Sequence, residues 1–315
     1  MREFLHQTAP YRQWYLCQIK NIVPKPLSVR LAVVLACCIY FLAAAQAKAE
    51  TPSTTQFDPF QAYTSDYAKQ SAIQSLPLDK LDAQGRAKVH AVLANLTVFR
   101  RLPVRVIDCD PDLYLFLVRH PDVIVNIWNA LKLSQLQLQQ TGSDSLRLKE
   151  PSGITADLEY LYRSHNTHLV YAEGVYDGVM FPQSVKGNAL FLLKTGYIRE
   201  TDGRYYISTR LDTFISIEPG AVELVTKAIH PLFGKTADNN FSQTVAFVGS
   251  LSHTTEMNPR KVQRLALRLN IVQPEVRNEF SNLAEKISQK PSAIALREVV
   301  DSVNVARKDN NSVKR

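Results

Sequence analysis

The hydrophobic pattern changes period along the chain, and the changes mark the elements. Residues 102–131 (LPVRVIDCDPDLYLFLVRHPDVIVNIWNAL) open with β-branched Val104, Val106 and Ile107. They then pass into two helical faces, Leu113, Phe116 and Leu117 followed by Val123, Ile127, Trp128 and Leu131. Asp110-Pro111 places a side-chain acceptor at a helix N-cap and a proline at the first helical position, where its missing N–H costs nothing. His120-Pro121 ends the first run. The segment predicts a short strand followed by a pair of short helices.

Downstream the period falls to two. Leu136 and Leu138 alternate with glutamines, residues 141–144 (TGSD) make a turn, and Leu146 and Leu148 alternate with Arg147 and Lys149. Residues 154–162 and 169–176 form a second predicted hairpin, and 189–198 with 205–217 a third, closed by Thr201-Asp202-Gly203. With the strand before the helices, an antiparallel sheet of about seven strands is expected. Helical spacing returns at 221–230, stops at Pro231, and resumes from Thr236 to 256 with Phe241, Val245, Phe247, Val248 and Leu251 on one side. Two further helices are expected at 259–269 and 274–287, then an amphipathic piece carrying Ile294, Leu296, Val299, Val300 and Val303. Upstream, 78–97 reads as a helix. Residues 50–75, rich in Thr, Ser, Gln and Pro, read as a linker or draped arm.

Residues 31–45 (LAVVLACCIYFLAAA) are an uncharged apolar run behind five basic residues and ahead of two small-x-small triplets, the grammar of a signal peptide. The run is shorter than the roughly 20 residues of a spanning helix. A cleaved leader over 1–49 and export to the periplasm or cell envelope are expected, with a retained anchor as the alternative. This leader changes the reading of charge. It holds five of the eight net positive charges, and the last nine residues hold three more, which leaves the body near neutral. Nucleic-acid binding, which needs a basic face on the folded part, loses its support. Of four cysteines only Cys109 lies beyond the leader, so no disulfide within the remaining chain is possible.

No catalytic, cofactor or metal motif of high specificity is present. His165-Asn166-Thr167-His168 sets two imidazoles three apart near Glu173, but on a strand-turn-strand residues three apart face opposite ways, which predicts a turn histidine and a strand histidine rather than a metal pair. Asp108-Cys109-Asp110 flanks a lone thiol that Arg105, His120 or His168 would have to activate. The expected reading is a buried small residue with Asp110 capping a helix. Tyr160, Tyr162, Tyr171, Tyr176, Tyr197, Tyr205 and Tyr206 fall on successive predicted strands, and simple alternation sends Tyr160 and Tyr162 to one face. Arg199, Arg204 and Arg210 gather near the last hairpin, as a solvated end or as an attraction for an anionic head group.

The order strand, two short helices ending in an aromatic, about six antiparallel strands and a long helix, over residues 102–257, resembles the helix-grip fold of START-like proteins. Asp108 to Asp110 and Pro111 stand at the strand-to-helix turn of that family, and Pro121 to Trp128 where its second short helix ends. The wording of the segment also resembles an uncharacterised family of exported planctomycete proteins. The START-like resemblance implies an α+β fold in which a curved sheet wraps a long C-terminal helix and leaves a cavity for a lipid or another apolar molecule. Two departures are visible, Pro231 within the terminal helix and the added helices from Pro259. The expected layout is a signal peptide (1–49), an arm (50–77), the helix-grip-like domain (78–257), a helical extension (258–306) and a basic tail (307–315). The expected function is an exported non-enzymatic binding protein, with Trp128, Tyr160, Tyr162, Tyr171, Tyr197, Phe241 and Val245 around the ligand and no cofactor. The alternative is an envelope interaction module whose core is filled and whose C-terminal helices dock a partner protein.

Overall fold

Side-chain caps start the first three α-helices among the described residues. Ser65 accepts from Ala68 N ahead of α1 (Asp66–Gln74), and Asp82 accepts from Gly85 N ahead of α2 (Ala83–Ala94). Asp110 accepts from Asp112 N and Leu113 N ahead of α3 (Pro111–Arg119). Each contact satisfies amides that a first helical turn leaves open. α4 (Pro121–Ala130) follows after the single residue His120. The computed structural model describes residues 58, 60–179, 183–201, 203–291 and 298, with the backbone alone over 222–235. The expected leader, most of the piece beyond 291, and the basic tail lie outside the described residues.

Among the described residues eight strands form one antiparallel sheet: β1 (Val98–Arg101), β2 (Arg105–Asp108), β3 (Gln137–Gln140), β4 (Ser145–Lys149), β5 (Ile154–Arg163), β6 (Thr167–Tyr176), β7 (Val185–Arg199) and β8 (Tyr205–Ile217). The order is β1-β8-β7-β6-β5-β4-β3, with β2 also on β8. β1 and β2 therefore make one edge, interrupted at residues 102–104: Val98 pairs with Ile215 and Arg105 with Thr209. The three hairpins read from alternation are present. In the β7–β8 turn Gly203 takes φ 86°, the left-handed conformation that glycine adopts without strain.

The two faces of the sheet are covered differently. Phe99, Leu169, Leu190, Leu192 and Phe214 point to a face covered by Ala68, Ala72 and Leu76 from α1 and its C-cap region and by Val89 and Val92 of α2. Residues 66–74, within the stretch expected as an arm, are thus a helix with two buried alanines. Small alanines pack closely without producing a strong hydrophobic period. β1 follows directly on the expected helix, over residues to which the pattern assigned no element.

The opposite face meets α3, α4 and α5 (Val222–Met257). α5 runs in the same direction as the β1–β2 edge and alongside it. Arg100 pairs with Asp238 (Nε to Oδ1 2.9 Å), Arg105 Nε donates to Ser242 Oγ at 2.9 Å, and Asp110 N donates to Ser252 Oγ at 2.9 Å. The helix is continuous through Pro231, against the expected division. An internal proline removes one hydrogen bond and disfavours the preceding turn, but it does not oblige the chain to leave the helix. α6 (Pro259–Ala266) and α7 (Pro274–Ser288) fold back onto α5 and α3. Phe280 of α7 stacks on Phe116 of α3, centroids 5.5 Å apart and planes 4° apart, so the extension adds a third layer outside α3.

Candidate functional site

The site is built on the face under α3, α4 and α5. Tyr114 of α3 reaches down to the sheet, donating to Thr209 Oγ1 of β8 at 3.0 Å and pairing with Thr195 Oγ1 of β7 at 3.2 Å. Its ring meets that of Tyr197 edge-on at 6.3 Å. Tyr160 donates to the Val118 carbonyl at 2.6 Å, and Tyr197 donates to the His165 carbonyl at 2.8 Å. Trp128 meets Phe247 of α5 edge-on at 5.8 Å and packs with Tyr160 against Val125, Leu138 and Leu146. Val245 is buried on α5 and Phe241 is half-buried. Burial raises the phenol pKa of Tyr160 and of Tyr197, so both stay neutral hydrogen-bonding groups.

Two of the expected ligand residues lie elsewhere. Tyr160 pairs with Val170 but Tyr162 with Leu169, and the irregularity between them makes Leu161 an extra residue in β5. One inserted residue reverses the facing of the strand beyond it. Tyr162 therefore joins the cluster under α1 and α2, as does Tyr171, whose ring sits under the Lys88 ammonium at 5.2 Å. The arginines near the last hairpin also have partners: Arg199 lies over the Tyr205 ring at 5.7 Å, Arg204 pairs with Asp108 at 2.9 Å and Arg210 with Asp212 at 3.5 Å.

His168 is the residue that the sequence undervalued. It shares the helix-covered face with Val170 and Ala172, alternate residues of β6, and stands opposite Arg163 and Leu193 in the ladder. It is 1% exposed, and neither ring nitrogen has a hydrogen-bond partner among the described residues. Burial first, then Arg119, Arg163 and His165, hold its pKa at about 4, which makes it a neutral imidazole at ordinary pH. His165 is a turn residue whose ring lies 4.2 Å from that of Tyr197. No group of three or more metal-ligating side chains occurs among the described residues.

Cys109 and its flanking carboxylates are engaged by other partners. Cys109 is 1% exposed, its thiol donates to the Asp110 carbonyl at 3.4 Å, and burial raises its pKa, so the reactive thiolate is suppressed. Asp108 pairs with Arg204, and Asp110 with Lys290 at 2.6 Å. Nearby Glu256, beside Ser252, is pushed up to about 7, mainly by burial and then by Asp108.

His168 and Glu256 give opposed pH dependences. His168 has a folded pKa below its ordinary 6.5, so its contribution is complete above pH 6.5 and is lost as pH falls through about 4. Glu256 has a folded pKa above its ordinary 4.5, so its contribution is complete below pH 4.5 and is lost as pH rises through about 7. Between those limits the two slopes partly cancel. Glu256→Gln is expected to match the parent protein near pH 4.5 and to exceed it by about 1–2 kcal/mol at about pH 8, discounted for partial exposure. Urea unfolding at several pH values checks this; a constant difference across the range contradicts it.

No family model and no curated protein matches the chain. Among solved structures the chain is similar to the di-domain ARO/CYC BexL from the BE-7585A biosynthetic pathway, with 12% sequence identity and a TM-score of 0.26. The match covers 66% of this chain and 60% of that one, less than two thirds of the neighbour's length.

Proposed function

We propose that the protein is an exported, non-enzymatic binding protein that holds an apolar or amphipathic small molecule between the sheet and α5. One observation carries the reading. The face under α3, α4 and α5 carries Tyr114, Trp128, Tyr160 and Tyr197 together with a buried histidine whose two ring nitrogens have no partner among the described residues. Ligand sites combine apolar and aromatic walls with a few placed polar atoms, and a buried polar group without a partner costs about 1–3 kcal/mol unless something else engages it. Of the expected lining, Trp128, Tyr160, Tyr197, Phe241 and Val245 remain candidates. The suppressed Cys109 thiol supports a non-catalytic role.

The competing interaction-module reading drew on the C-terminal helices. Val262, Leu265, Val276, Phe280, Ala284 and Ile287 of α6 and α7 are buried in the domain itself, which leaves less of that surface for a partner. Export rests on the leader grammar of residues 1–49; no helix among the described residues is long and apolar enough to cross a membrane.

Gentle purification followed by native mass spectrometry and solvent extraction tests the binding role. Recovery of a small molecule in stoichiometric amount is expected. Repeated recovery of unliganded protein, with no thermal shift across a panel of amphiphiles, overturns it.

A further inference from the structure

The tyrosines of the helix-covered face have committed their hydroxyls to the protein: Tyr114 to Thr209, Tyr160 to the Val118 carbonyl and Tyr197 to the His165 carbonyl. A ligand's polar end must therefore be met by something else. Three side chains on this side carry buried polar atoms without partners among the described residues: His168 through both ring nitrogens, Asp122 through Oδ1, and Asn129 through Oδ1, whose amide nitrogen donates to the Leu136 carbonyl. Asp122 has its own explanation, since it stands in the first turn of α4, where the helix dipole favours a carboxylate. His168 lies mid-face on a strand and has no such local reason to be polar.

We propose that this face seats the oxyanion of an amphipathic ligand, a carboxylate or phosphate ester at the end of an apolar body, on His168 beside Arg119 and Arg163. The inference rests on the binding reading given above and specifies the ligand class. Its support is the company of His168. Arg163 stands across the β5–β6 ladder from it and lies over the Tyr160 ring at 4.6 Å, while also pairing with Asp144 and donating to the Ser143 carbonyl. Arg119 is the exposed last residue of α3. His165 supplies a second imidazole from the turn. Arg119 and Arg163 thus both act against a proton on His168, His165 adds a second imidazole, and the carboxylate of Asp144 is taken up by Arg163.

That arrangement disfavours a proton on His168 when no anion is present. An oxyanion against the ring offsets the two arginines and draws a proton from solvent onto the imidazole, making a charge-assisted hydrogen bond. Binding should then tighten as pH falls through the range in which the ring titrates.

The test compares dodecanoate, methyl dodecanoate and dodecyl phosphate as ligands of the full chain by calorimetry, with the His168 ring followed by NMR. Dodecanoate or dodecyl phosphate is expected to bind about tenfold or more tighter than the ester, and to raise the His168 pKa. Which of the two anions is preferred assigns the oxyanion to a carboxylate or a phosphate. His168→Leu should abolish the preference. Arg119→Ala, at an exposed position that should not disturb folding, should weaken the anions severalfold and leave the ester unchanged. Equal binding of ester and anions, or an unmoved His168 titration, overturns the head-group assignment while the binding reading stands. Failure of all three ligands, with no thermal shift from other amphiphiles, removes both.

Discussion

Asp212→Ala should destabilise the domain by about 3–5 kcal/mol, the loss associated with breaking a buried ion pair from one side. Asp212 is fully buried, accepts from Arg101 Nε at 2.6 Å and Nη2 at 3.1 Å, and lies 3.5 Å from Arg210. Arg101 is 4% exposed. Its backbone is tied to the segment before α1, donating to the Tyr63 carbonyl at 2.8 Å and accepting from Tyr63 N at 2.9 Å. Removing the carboxylate strands the Arg101 guanidinium where water cannot replace its partner. The damage should reach the docking of α1 and α2 over Phe99 and Phe214. Urea unfolding measures the effect. Asp157→Ala is the control, because its pair with Arg147 is more than half exposed on both sides, and a change within about 0.5 kcal/mol is expected there. Similar losses in the two variants would mean that burial of the Arg101–Asp212 pair does not set its energetic weight.

The strength of local patterning decided how much could be read beforehand. The three hairpins have alternating apolar residues and turn-forming residues between them, and each appears with nearly the expected bounds. Asp110-Pro111 likewise announced α3, because cap and first-turn preferences act within a few residues. The elements that escaped depend on tertiary context. α1 buries alanines whose contribution is shape rather than hydrophobic contrast. β1 is four residues long, and its VFRR sequence, two apolar residues followed by two arginines, shows no alternation. The extra residue after Tyr160 could not be seen in alternation alone, yet it moves Tyr162 to the other face. His168 did carry a signal, an imidazole in register with Val170 and Ala172. The strand position of His168 was legible, but its burial and its lack of partners among the described residues depend on the helices packed over the face.

Phe280→Ala should cost about 3–5 kcal/mol and lower the stability of the whole domain in one transition. Phe280 is completely buried, and the stack with Phe116, itself 3% exposed, joins α7 to the outer side of α3. Lys290 reinforces that joint by donating to Asp110 at 2.6 Å and Asp112 at 2.9 Å. Asp110 also caps α3, so one carboxylate links the start of α3 to the chain just beyond α7. Were α6 and α7 an independent module, truncating Phe280 would melt them first and leave the sheet's unfolding unchanged. Calorimetry should instead show a single shifted endotherm, while Leu267→Ala, at a position 73% exposed, changes it little. The consequence extends to the site. α3 is held from outside by Phe280 and from inside by Tyr114, whose hydroxyl reaches Thr195 and Thr209 beneath it. Loosening the outer hold should make α3 the first part of the helix-covered face to open, seen as faster hydrogen exchange in α3 than in β7 or β8. Equal acceleration across the sheet and helices would place Phe280 in the global core and detach it from any control of access to His168.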